Sequence, residues 1–105
     1  MGFEQYHEPP EELDEKTRTF ARLILSMIEE AEAIAWYEQR LALEQDEEAR
    51  AIMEHTQKEE FIHFGMDLEF LLRRTPKWRT IMKNLLFKKG DLIELAEKAE
   101  EAVPE

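Results

Sequence analysis

The sequence predicts an all-α protein: an antiparallel hairpin of two long helices, short C-terminal helices behind it, and a second copy of the chain to complete a four-helix bundle. Three observations carry that expectation. Between Glu11 and Arg74 the chain holds no proline and a single glycine, Gly65, and is rich in Ala, Leu, Ile, Met, Glu and Arg, the strong helix formers. Its apolar residues recur at helical spacing rather than in strand-like alternation. Each long helix carries a broad apolar stripe, and two helices cannot cover each other on every face they need to bury. Two chains pairing into a bundle would solve that problem.

The elements follow in order. A first helix over 11–43 is marked by Phe20, Leu23, Ile24, Met27, Ala31, Ile34, Tyr37 and Leu41; nearly thirty residues at ~1.5 Å each give a rod of about 45 Å. The stretch LEQDEEAR interrupts the stripe, and Asp46 is a suitable N-cap for a second helix over 47–74. Thr75-Pro76 ends that helix, because proline disfavours helical geometry in the residue before it. A third helix spans 77–87, with Trp78, Ile81, Met82, Leu85 and Leu86 apolar, and Gly90 stops it. The remainder, 90–105, reads as a last amphipathic helix and a charged tail. Met27, Met53, Met66 and Met82 read as core filler. All of this is organised as one small domain.

Composition narrows the function. The chain has 105 residues, 25 acidic against 14 basic, for a net charge of −11. Such a surface does not suit DNA, RNA or an anionic membrane, and cations are its natural counterparts. The absence of cysteine excludes disulfides, thiolate metal sites and cysteine nucleophiles. No stretch approaches the ~20 apolar residues of a membrane span. MGFEQYHEPP lacks the basic and apolar regions of a secretory signal, so a cytoplasmic protein is expected.

Chemistry is most visible where polar residues interrupt the stripes. Glu30 lies three residues after Met27, four before Ile34 and seven before Tyr37, where a hydrophobe is expected. In KEEFIHF, Glu60 and His63 follow the line of Ile52, Met53 and Thr56 and precede Phe70. A buried unpaired carboxylate either neutralises itself or finds a cation. Side chains at i and i+3 project to one side of a helix, so Glu60 and His63 can reach one ion together. A further oxygen from Glu30 would suit iron or manganese. Di-metal carboxylate bundles use one Glu from each of two helices and a Glu-x-x-His from each of two others. One chain holds half of that set, and the pairing demanded by the apolar pattern would supply the rest. The competing reading is a histidine merely hydrogen-bonded in a core, with glutamates turned to water, in a metal-free helical dimerisation module. Glutamate is abundant here, and Glu4 with His7 makes a second Glu-x-x-His beside Pro9-Pro10, which reads as tail.

The segments SMIEEAEAIAWYEQR and IMEHTQKEEFIHFGMDLEFLLRR, with HEPP near the start and LLF in the third helix, resemble the encapsulated ferritins over roughly residues 7–90. The resemblance implies a ferritin-like four-helix bundle formed by two chains, and a ferroxidase that oxidises Fe2+ to Fe3+ at a di-iron centre between them. Glu30, Glu60 and His63 of each chain would be the ligands, with Ca2+ or Zn2+ as expected substitutes for iron. Glu29 and Glu32 match acidic residues on the metal uptake route. Trp36 and Tyr37 match aromatic residues beside the centre, the tyrosine being suited to a supporting hydrogen bond. His55 and Glu59 match part of a peripheral metal site, although Ile62 replaces a further acid.

The resemblance also implies a ring-shaped decamer of paired hairpins inside an encapsulin nanocompartment, where the oxidised iron is stored. Free cargo members carry a short C-terminal peptide that docks on the shell. EKAEEAVPE does not match one, and the shell protein is expected to be separate or fused. Another di-iron carboxylate oxidase or a rubrerythrin-like peroxidase is the alternative enzyme. The lack of cysteines argues against a peroxidase carrying a rubredoxin-type iron site.

Overall fold

The first long helix starts where Asp14 can cap it. In a computed structural model that describes residues 4–103, the Thr17 N–H donates to Asp14 Oδ1 at 2.8 Å. A hydrogen bond from the Thr17 side chain, and then this backbone one, hold the Asp14 carboxyl below its ordinary value. Ahead of it, Pro10–Glu12 form a single 3-10 turn whose Pro10 carbonyl accepts from Arg18. Helix α1 therefore spans Glu15–Leu43, beginning four residues later than the helix-forming composition suggests. Pro9-Pro10 impose a turn of their own first.

A three-residue connection leads to α2, Glu47–Arg74. Asp46 is its N-cap: the Ala49 N–H donates to Asp46 Oδ1 at 2.9 Å. Arg50 reaches back from the first turn of α2 to the carbonyls of Leu41 and Glu44, the latter at 3.2 Å. That bond satisfies orphan acceptors at the C-terminus of α1 and fixes the reversal of direction. The two long helices pack as a hairpin. Gln57, only 8% exposed, joins them by donating from Nε2 to the Ile34 carbonyl at 3.2 Å and to Glu38 Oε1 at 3.0 Å. Among the described residues there are helices and no strands.

The chain divides into two compact units within α2. In the first, through Glu69, Met27 and Leu41 are buried, whereas Trp36, Ile52, Phe61, Ile62 and Met66 are exposed. Met66 is 64% exposed, so it is not core filler within one chain. The stripe through Ile52 and His63 is likewise on the outside of the single hairpin.

The second unit, from Phe70, contains the end of α2, α3 (Pro76–Leu85) and α4 (Leu92–Glu101). Its buried residues are Leu71, Leu72 and Ala99, and α3 packs against α4. Pro76 opens α3, where its missing N–H is no loss. Helix α3 ends at Leu85, two residues short of the expected 87. The chain turns at Phe87, which takes a left-handed φ of 60°, and again at Gly90, with φ 123°. Asp91 then caps α4 through the Glu94 N–H at 3.0 Å. Pro104 and Glu105 of the expected tail lie outside the described residues.

Candidate metal centre

Two helices supply the polar cluster. Glu60 and His63 stand one turn apart on α2, and the helix brings His63 Nδ1 to 3.0 Å from Glu60 Oε1. A carboxylate only accepts, so Nδ1 carries the proton in that bond and Nε2 keeps its lone pair for another partner. Glu60 is mostly sheltered, with 21% of its side chain exposed, and His63 is half-exposed at 49%. The pair thus has an inner side against α1 and an outer side open to solvent.

Glu30 faces it from α1. Its Oε1 is buried and has no hydrogen-bond partner. Desolvation, first, then a hydrogen bond with Asp67 and the negative charges of Asp67 and Glu60, push the Glu30 carboxyl up to about 7; His63 opposes the rise. Glu30 on α1 therefore feels the charges of Glu60 and His63 on α2. Asp67 acts on Glu30 as well and was not singled out by the motif. It lies four residues after His63 and seven after Glu60, on the same side of α2, and its Oδ2 is also buried without a partner. Extending the Glu-x-x-His register by one more turn would have found it.

The remaining predicted residues are spread over the surface. Glu29 and Glu32 flank Glu30 and are exposed. His55 Nε2 is 3.9 Å from Glu59 Oε1, both well exposed, and Ile62 beside them presents carbon, not oxygen. Trp36 is exposed. Tyr37 is half-buried with the Arg40 guanidinium 5.0 Å from its ring centroid. His7 is exposed, ahead of the helices.

The donors fit a hard divalent cation. Two buried carboxylate oxygens without donors, a third carboxylate and an imidazole nitrogen match the ligand preferences of iron and manganese. Among the described residues, no three His, Asp or Glu side chains converge closely enough to hold an ion within one chain. No described helix is long and apolar enough to cross a membrane.

Comparison with known proteins gives one consistent result. The family profile described as EncFtn-like matches residues 5–89. A "Ferritin-like protein" of Thermotoga maritima is 43% identical over 95 residues, covering 90% of this chain and 83% of the relative. An "Encapsulated ferritin-like protein" of Rhodospirillum rubrum is 42% identical over 97 residues, covering 90% of this chain and 69% of its own length. Among solved structures, a protein of Nitrosomonas europaea superposes with a TM-score of 0.79 at 38% identity, over 83% of this chain and 96% of that one.

Proposed function

Because the chain belongs to the EncFtn-like family, the encapsulated ferritins, we propose that it is a ferroxidase whose di-iron centre is shared by two copies of the chain. The observation that carries this reading is the donor-less buried oxygen of Glu30 beside a Glu60–His63 pair that is closed on one side and open on the other. One chain presents half a ligand set. A second copy placed over the open side would supply the same Glu30, Glu60 and His63 again, giving the four carboxylates and two imidazoles of a ferritin-like centre.

Fe2+ is the substrate. Glu30 and Glu60 bind it through oxygen, and His63 through Nε2, which its bond to Glu60 leaves free. Hard carboxylate oxygens favour the higher charge of Fe3+, and this differential stabilisation drives the loss of one electron from each iron to dioxygen. The oxidant takes up protons and leaves as a reduced product. Exposed Glu29 and Glu32 and the net charge of −11 draw cations toward the centre. Trp36 and Tyr37 form its aromatic surround. With Ile62 in place of an acid, His55 and Glu59 amount to a two-ligand surface pair.

Assembly follows from the same surface. Trp36, Ile52, Phe61 and Met66 are large apolar side chains exposed in the single hairpin, the kind of surface that a protein–protein contact covers. We assign these residues to the contact between copies and the paired hairpins to a ring-shaped decamer. The ring works in the cytoplasm inside an encapsulin shell, separate or fused, where the ferric product is stored. The relative whose name includes "encapsulated" supports the compartment.

The test is Fe2+ added without oxygen, then air. Wild type should take up roughly one ion per chain and develop ferric absorbance, and Glu60→Ala or His63→Ala should abolish both while helix content is unchanged. Wild-type protein that neither binds nor oxidises iron would sink the reading in favour of a metal-free dimerisation module.

A further inference from the structure

Glu30 Oε1 and Asp67 Oδ2 are both cut off from solvent, and neither has a hydrogen-bond partner. Carboxylates accept hydrogen bonds and donate none, and leaving such an oxygen dry and unpaired is costly. Asp67 acts on the Glu30 carboxyl, raising it, one group on α1 and one on α2. Asp67 continues the side of α2 that carries Glu60 and His63. Side chains three, four and seven residues apart share a helix face.

Two ionised acceptors face to face have two remedies: a proton between them or a cation between them. Asp67 is placed like a ligand rather than like a surface acid, since one of its oxygens is cut off from water and unpaired on the side of α2 that carries Glu60 and His63. We propose that Asp67 is an additional metal-ligating residue, forming with Glu30 a two-oxygen clamp on the divalent cation. Each chain then contributes three carboxylates and one imidazole. The inference rests on the iron-handling reading and adds a residue to it. An extra oxygen ligand moves the preference of the site further toward hard six-coordinate ions and away from tetrahedral ones. It also adds negative charge where the ferric product needs it.

The experiment uses the full chain, stripped of metal, titrated with Co2+ as an oxidation-resistant probe and followed by calorimetry and visible absorption. Three proteins are compared: wild type, the near-isosteric Asp67→Asn, and Glu60→Gln. Asp67→Asn should bind Co2+ about 10- to 100-fold more weakly and change the absorption of the bound ion. Its metal-free melting temperature should equal or exceed that of wild type, because a contact between like charges has been removed. A residue needed only for packing would lose affinity and melting temperature together, and that outcome overturns the clamp. So does an Asp67→Asn protein with wild-type affinity and spectrum; if Glu60→Gln still weakens binding, the Glu30, Glu60 and His63 centre survives without Asp67. Wild type that binds no Co2+ overturns the clamp and the iron reading together.

Discussion

Glu30 should make the metal-free protein less stable as pH rises, and Glu30→Gln should remove that dependence. Burial beside Asp67 and Glu60 raises the Glu30 carboxyl from 4.5 to about 7. Between those values the folded state holds a proton that the unfolded state has released. Stability therefore falls as pH rises through this window; the penalty is absent below about 4.5 and complete above about 7. At about 1.4 kcal/mol per tenfold change in proton affinity, the ceiling is about 3 kcal/mol. The cluster is open to water on the His63 side, so solvent screening reduces this to roughly 1–2 kcal/mol. Glutamine keeps the shape, loses the charge, and can donate an N–H to Asp67. Thermal unfolding followed by circular dichroism, in chelator and at one protein concentration, reads the difference. At pH 8 Glu30→Gln should melt roughly 5–10 °C above wild type, and at pH 4 the two should coincide. An equal offset at both pH values would mean that the substitution acts through packing. A wild type that gains stability relative to Glu30→Gln on going from pH 4 to pH 8 would show that Glu30 is stabilised as an anion, and would refute the buried, donor-less assignment.

Two further outcomes test the frame around the site. Gln57→Ala removes the amide that joins the Ile34 carbonyl and Glu38 and should cost about 1–2 kcal/mol in urea unfolding. Phe87→Gly replaces a fully exposed side chain, 104% accessible, at a left-handed φ of 60° and should stabilise the chain by about 1 kcal/mol in the same assay.

The hairpin was legible because independent local signals agreed. A long run of helix formers, a capping aspartate at position 46 and a proline at 76 mark the same boundaries that the backbone takes. The end of α3 was less legible, since nothing about Phe87 announces a left-handed residue; glycine three positions later was the visible signal, and the turn begins before it. Gln57 was hidden for a different reason. An amide in a polar helix looks like any solvated residue, and its role depends on two acceptors from a helix some twenty residues away. Glu30 was legible because a charge in an apolar stripe is anomalous on its own. Asp67 was not, because it sits outside the Glu-x-x-His motif and its significance arises only when α1 brings Glu30 against it.

The same contrast explains why one chain shows a centre that is only half enclosed. On α2 the inner line of Glu60, His63 and Asp67 meets α1, whereas Ile52, His63 and Met66 share an outer line that meets solvent. His63 belongs to both, because it lies three residues after Glu60 and four before Asp67, and eleven after Ile52, close to a whole number of turns. Among the described residues, Glu60 is sheltered whereas Ile52, His63 and Met66 are exposed. The apolar stripe and the incomplete ligand set therefore pose one problem, and a surface that covered Ile52 and Met66 would also reach the free Nε2 of His63. Under the proposed pairing, a symmetric second copy of the chain would bring its own carboxylates and imidazole to that open side.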